Sequence, residues 1–194
     1  MNLPGVYKTH LDRWTNLQTA WIISDPHFGD EELRAGIPNR PKDEDLVARI
    51  NAKVGRKDLL IILGDVGDPN RASQLRGYKI LVMGNHDRGR ANYESVFSEI
   101  YEGPLMLGEK LLISHEPLPV TWAMNVHGHD HTGKLNTPFN FNVCADVIGY
   151  EPINFNQWLR QGHLSHIEGT HRNTIDKATA RCRKKGVAWK TAKH

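Results

Sequence analysis

Five short apolar runs in this 194-residue chain each break off into a polar turn. Trp21–Ile23 leads into SDPHFGD, Leu59–Leu63 into GDVGD, and Ile80–Met83 into GNHD. Leu111–Ile113 is followed by SHEP, and Trp122–Val126 by HGHDH. Short runs rich in Ile, Leu and Val, bounded by Gly or Pro, read as buried strands. Between the first two runs, residues 42–55 place Leu46, Val47, Ile50 and Val54 at helical spacing behind an acidic first turn. Gly55 is the expected C-terminal cap of that helix. A weaker helix is expected over Ala91–Phe97, and another over Asn154–Arg160 with Asn154 as its N-cap. The order implies an α/β fold, with parallel units first and a more antiparallel second half.

In open α/β sheets, ligands collect beyond the carboxyl ends of the strands, and all five polar turns occupy such ends. The side chains there that bind metals are Asp25, His27, Asp65, Asn85, His115, His129 and His131. Carboxylate and imidazole together suit divalent ions such as Mn²⁺, Fe²⁺ or Zn²⁺. Without a thiolate in the set, a Cys-rich structural zinc site is excluded. Asp25/His27 and His129/His131 are i, i+2 pairs, which project to one side of an extended segment. Seven ligands exceed what one tetrahedral ion takes and fit two ions sharing a bridging carboxylate, an arrangement suited to displacement at phosphorus. Taken singly, Asp25 and Asp65 also suit turns, and Asn85 suits a left-handed turn; their joint pattern points to ligation. His127 falls outside the set and reads as a supporting residue, while Asp30 and Asp68 read as loop residues. Gly84 is expected to let the chain bend sharply after its strand.

DPH at 25–27, GD at 64–65, GNHD at 84–87, SHEP at 114–117 and GHDH at 128–131 resemble the five ordered motifs of calcineurin-like metallophosphoesterases. NRPK at 39–42 and NVCADVIGYEPI at 142–153 are similar to a small bacterial and phage subgroup of phosphoesterases. The resemblance implies a sandwich of two mixed β-sheets flanked by helices. It implies that Asp25, His27 and His131 hold a first metal, that Asn85, His115 and His129 hold a second, and that Asp65 bridges them. His86 resembles the catalytic histidine that protonates the leaving oxygen, with Asp87 orienting its ring. The cofactors implied are two divalent ions, Mn²⁺ first, with Fe²⁺, Zn²⁺ or Ni²⁺ as alternatives. The activity implied is hydrolysis of a phosphomonoester or phosphodiester through a metal-bound hydroxide, with a nucleotide-type substrate favoured. Arg88, Asn39 and Arg40 are the expected substrate contacts, and Asp146 and Tyr150 are placed at the rim.

Length fits one domain. Its expected extent is residues 1–168, followed by a basic tail over 169–194. That tail has eight Lys or Arg against one Asp, a balance of +7 that leaves −4 on the rest of a chain whose net charge is +3. Such a tail is either a solvated end or a contact for nucleic acid. Two cysteines are too few for a disulfide framework, and no apolar run is long enough to span a bilayer. A cytoplasmic setting with no membrane partner is the expectation; oligomeric state is open. Two other readings stand beside the enzyme: a catalytically inactive scaffold of the same fold, and nucleic-acid binding through the tail. Inactive scaffolds of this kind typically lose the GNHD-type histidine or some ligands, whereas His86 and all seven ligand positions are present.

Overall fold

The computed structural model describes residues 4–16, 18–135, 137–170 and 175–185. Arg172, Lys190 and Lys193 of the basic tail, with His171 and His194, lie outside the described residues. The chain runs α1 (Pro4–Thr15), β1 (Ala20–Ile23), α2 (Glu31–Gly36), α3 (Asp43–Lys53), β2 (Leu59–Ile62), α4 (Pro69–Ser73) and β3 (Tyr78–Val82). It continues with β4 (Glu99–Tyr101), β5 (Leu105–Gly108), β6 (Leu111–Ile113), β7 (Met124–His127), β8 (Asn140–Asn142), β9 (Ile153–Asn154), α5 (Phe155–Arg160) and α6 (Lys177–Lys184).

These elements make a mixed α/β sandwich. One sheet has the order β4-β3-β2-β1-β9 and the other β5-β6-β7-β8. β1 to β4 are parallel neighbours, with β9 antiparallel on the edge beside β1. Their apolar runs are continuous because both faces are covered. Ile22, Ile61, Ile80 and Val82 point into the layer between the sheets, against Ile113, Met124 and Val126. Ile23, Leu60, Ile62 and Leu81 point the other way, onto Leu46, Val47 and Ile50 of α3. Trp14 of α1 and Trp158 of α5 are buried in the inter-sheet layer.

The second half is less antiparallel than its sequence suggests. β5 pairs antiparallel with β6, but β6, β7 and β8 are parallel. A short apolar run carries no information about its direction, so the connection decides it. Here residues 114–123 cross over without a helix, stapled by the buried Asn125 side chain, which accepts from Leu118 N at 2.7 Å and donates to Ser114 Oγ at 2.8 Å.

Two local expectations are also corrected. The segment expected as a helix over Ala91–Phe97 shrinks to a 3₁₀ turn at Arg90–Asn92. So short a helix is marginal by itself, and burial of Tyr93 and Phe97 sets the path of the chain instead. α3 ends at an extended Val54, not at a left-handed Gly55. Asp58 captures the Gly55 N–H at 2.9 Å and the Trp21 indole at 3.0 Å, which draws the chain straight into β2. Asn154 does cap α5, accepting from Gln157 N at 2.9 Å.

β2 is the central strand of its sheet, and Ile61 is fully buried on the inter-sheet side. Ile61→Ala is expected to lower stability by about 2–5 kcal/mol, through lost transfer energy and the cavity left behind. Chemical denaturation of the chelator-treated protein measures this without any contribution from bound metal.

Candidate metal centre

Each candidate ligand follows directly from a strand end. Asp25 and His27 lie beyond β1, Asp65 beyond β2, and Asn85 beyond β3. His115 follows β6, and His129 and His131 follow β7. Four of these seven, Asp25, His27, Asp65 and His129, have positive φ of 45–66°. That left-handed conformation is uncommon outside Gly, Asn, Asp and His, and concentrates at functional sites.

Hydrogen bonds between the loops hold these shapes. Asp25 N donates to Gly64 O at 3.1 Å, His27 N to Asp65 O at 2.9 Å, and Gly128 N to His115 O at 2.9 Å. The loops approach so closely that several of their glycines have no substitute. A Cβ on Gly84 would overlap Asp65 Oδ1 and come within 2.7 Å of Asp65 N. A Cβ on Gly128 would strike Ser24 and Asp25. Gly84 is therefore required for close approach; its φ is not in the left-handed region, and the chain turns directly after it, with Asp87 N donating to Gly84 O at 3.3 Å.

All seven side chains expected from the sequence converge. Asp65 Oδ2 lies 3.4 Å from His27 Nε2 and 3.3 Å from His115 Nε2, between the two groups. On one side, Asp25 Oδ1 is 4.0 Å from His27 Nε2 and 3.7 Å from His131 Nε2. On the other, Asn85 Oδ1 is 2.8 Å from His115 Nε2 and 3.1 Å from His129 Nδ1. Asp25 Oδ1 and His27 Nε2 are buried with no hydrogen-bond partner among the described residues. Buried polar atoms are nearly always satisfied. A carboxylate oxygen and an imidazole nitrogen both lacking partners, and both facing the same point, fit a divalent cation there.

The ligand rings are themselves oriented from behind, as metal-bound imidazoles usually are. His131 Nδ1 meets Asp146 Oδ2 at 2.6 Å, His27 Nδ1 faces Asp30 Oδ2 at 3.5 Å, and His115 Nδ1 lies 2.8 Å from Leu63 O. Burial opposes ionisation of Asp65, yet the His115 and His27 imidazoles close beside it and the hydrogen bond from the His86 N–H hold its carboxyl well below the usual range. Burial likewise opposes charge on His115, but its bond to Asp65 and the charge of Asp25 push it up to about 8. Asp146 raises the His131 imidazole. Against the cost of its own burial, Asp146 is brought down to about 2 by His131 and Arg40.

His86 stands at the mouth of the centre. Its N–H donates to Asp65 Oδ1 at 2.9 Å, and its ring centroid is 5.5 Å from that of His27. With His27, Arg88 and Tyr93 it lines a cavity of ≈ 640 Å³. Asp87 does not orient the His86 ring; its carboxylate accepts from Gly84 N at 2.8 Å, Asp65 N at 3.0 Å and Val66 N at 2.9 Å. Three backbone amides are stronger claims on one carboxylate than a solvent-facing ring, so Asp87 locks the GNHD turn to the GD loop.

Of the expected substrate contacts, Arg88 is exposed at the cavity. Asn39 is exposed with φ 65° and makes the left-handed turn before Arg40. Arg40 is a correction: its guanidinium is buried, donating to Asp25 O at 2.9 Å, to Pro26 O at 2.8 Å and to Asp146. Asp146, expected at the rim, has a buried side chain in the same group, and a half-buried Tyr150, also expected there, joins it, its Oη donating to Asp146 Oδ1 at 2.8 Å. Asp30 is more than a loop residue, since it both caps α2 and faces His27. His127 is buried, and its Nδ1 lies 2.7 Å from Gly128 O. Cys144 Sγ lies 3.6 Å from His131 Nδ1, and burial, with Asp25 nearby, pushes its thiol up so that it stays protonated. Nothing in the spacing of the sequence pairs position 40 or 131 with position 146, so these partners were invisible there.

A family model described as calcineurin-like phosphoesterase matches residues 19–189. No curated protein matches the chain. Among solved structures, a protein of unknown function from Aquifex aeolicus, AQ665, is 24% identical with a TM-score of 0.62, over 74% of this chain and 99% of that one. Pseudomonas putida nuclease MPE is 26% identical with a TM-score of 0.43, over 58% of this chain and 61% of that one.

In the metal-free protein a proton on His115 competes with a cation for the same nitrogen until pH passes about 8. Apparent Mn²⁺ affinity is therefore expected to rise by up to about tenfold per unit from about pH 6, then level off above about pH 8. Calorimetric titrations at a series of pH values measure this; a flat profile would place the competing proton elsewhere.

Proposed function

From the premise that the chain belongs to the calcineurin-like phosphoesterase family, we propose that it is a dinuclear metal-dependent phosphohydrolase. Asp25, His27 and His131 hold one divalent ion, Asn85, His115 and His129 hold the other, and Asp65 lies between them. The observation that carries this reading is the position of Asp65 Oδ2, 3.4 Å from one histidine set and 3.3 Å from the other. Such a pair of ions supplies Lewis-acid activation of water and neutralises the charge that builds up at phosphorus.

The remaining work falls to this chain's own side chains. His86 is exposed at the cavity mouth, free to protonate the oxygen that leaves. Arg88 beside it matches the geometry of a phosphate oxygen pair. Asp87 keeps His86 in place indirectly, by fixing the turn that carries it. The adjoining cavity lies within the volume range of small-molecule sites, about 300–1,000 Å³. It suits a phosphomonoester or phosphodiester of nucleotide size. A retained His86 and a complete ligand set weigh against the inactive-scaffold reading. Mn²⁺ is the favoured ion for a set of oxygen and imidazole donors. Among the described residues no helix is long and apolar enough to cross a membrane, and both cysteines are free thiols, in keeping with a reducing, cytoplasmic setting.

Nucleic acid as a partner has one observation in its favour. Arg181, Arg183 and Lys184 of α6, and Lys185 after it, are all exposed. If that helix is the contact, removing residues 169–194 abolishes oligonucleotide binding while leaving metal content intact.

Activity is expected to vanish on chelation and to return with Mn²⁺, assayed on aryl phosphomonoester, aryl phosphodiester and cyclic-nucleotide substrates. His86→Ala should keep its metal but lose about 10²–10⁴-fold in rate. Elemental analysis beside the assay separates the two effects; no turnover with any divalent ion would favour the scaffold.

A further inference from the structure

Two sequence segments remain outside the metal set: NRPK at 39–42 and CADVIGY at 144–150. The fold brings them together behind the first group of ligands. Asn39 turns the chain in the left-handed region, and Arg40 N donates to Ile37 O at 3.2 Å. The turn sends the Arg40 side chain inward, where only 3% of it is exposed. There it donates to the carbonyls of Asp25 and Pro26, and to Asp146. Asp146, also 3% exposed, accepts from His131 Nδ1 at the same Oδ2 that meets Arg40, and from Tyr150 Oη at Oδ1.

We propose that Arg40 and Asp146 are positioning residues, clamping the Asp25–Pro26 loop and the His131 ring chiefly for the first metal. This rests on the dinuclear reading above. Three observations support it. The clamp spans two ligands that are far apart in the chain, and it engages both from the side away from the cation. Among the described residues, the side-chain bonds of Arg40, Asp146 and Tyr150 reach Asp25, Pro26, Cys144 and His131, and no ligand of the second group. The second group is built differently: Asn85 and His129 are exposed, whereas Asp25 and His27 are buried.

Energetics point the same way. A buried ion pair is weak evidence for stability, since well-packed apolar residues often do as well in its place. Apolar residues could not hold two backbone carbonyls and an imidazole N–H at once. The guanidinium holds the two carbonyls because its donors are fixed in one plane, and the Asp146 carboxylate holds the imidazole N–H; a lysine, with a single donor centre, cannot span the same acceptors.

The test is a Mn²⁺ titration of the full-length, metal-stripped protein, with elemental analysis after dialysis and melting in chelator. The wild type is expected to bind two equivalents. Asp146→Asn keeps the shape and one acceptor but removes the charge. It is expected to weaken one equivalent about 10–100-fold and the other far less, while the chelated melting temperature falls because Arg40 is left buried without its charged partner. Arg40→Lys should weaken the same equivalent, and His115→Ala the other one. The inference is overturned if Asp146→Asn binds both equivalents as the wild type does. It is equally overturned if both equivalents weaken to the same extent, which marks a merely structural role. A wild type that binds one equivalent sinks the dinuclear reading instead, and the effect of Asp146→Asn on that equivalent still decides the clamp.

Discussion

The Asp65 carboxylate is buried where four loops meet, and each of its atoms is claimed. Oδ1 accepts the His86 N–H, Oδ2 faces His27 and His115, and the residue's own amide is held by Asp87. Burying a charge in a low-dielectric interior costs several kcal/mol unless partners surround it. No single loop can supply them. The loops after β1, β2, β3 and β6 must therefore close on one another for this charge to be tolerated, and the same closure assembles the candidate ligands.

That closure imposes its own costs. Left-handed backbone at Asp25, His27, Asp65 and His129 stores on the order of 1–3 kcal/mol per residue. Such strain persists only where the surroundings over-determine it. Here they do: β1, β2 and β3 are parallel neighbours buried on both faces, and their ends sit in fixed register. Backbone hydrogen bonds then continue past the strands, linking Asp25 to Gly64 and His27 to Asp65. The sheet supplies a rigid platform, and the loops spend part of its stability in holding unfavourable geometry at the site.

Much of this could be read along the chain. The strand runs, α3, the N-cap of α5 and all seven converging side chains follow from local patterns: apolar runs, helical spacing, and Asp or His at fixed distances after a run. What failed were inferences about direction and partnership. β6 and β7 turned out parallel, with a buried Asn125 stapling their crossover, and β8 follows parallel to β7. Asp87 looked like a partner for its neighbour His86, but amides from residues 65 and 66 outcompete that ring for its carboxylate. Arg40 looked like a surface cation for a phosphate and proved to be a buried clamp.

Sequence alone determined which chemistry is present and roughly where on the fold it stands. Strand ends recur in the pattern of hydropathy, and the polar residues just past them are carried to one edge of the sheet. Tertiary structure alone decided which of those residues face the cavity and which support it from behind. A carboxylate or guanidinium has the same intrinsic affinities wherever it occurs in a sequence. Its role is set by which donors and acceptors reach it first once water has been excluded, and in Asp146, Asp87 and Arg40 those partners come from distant parts of the chain or from backbone amides that no side-chain pattern records.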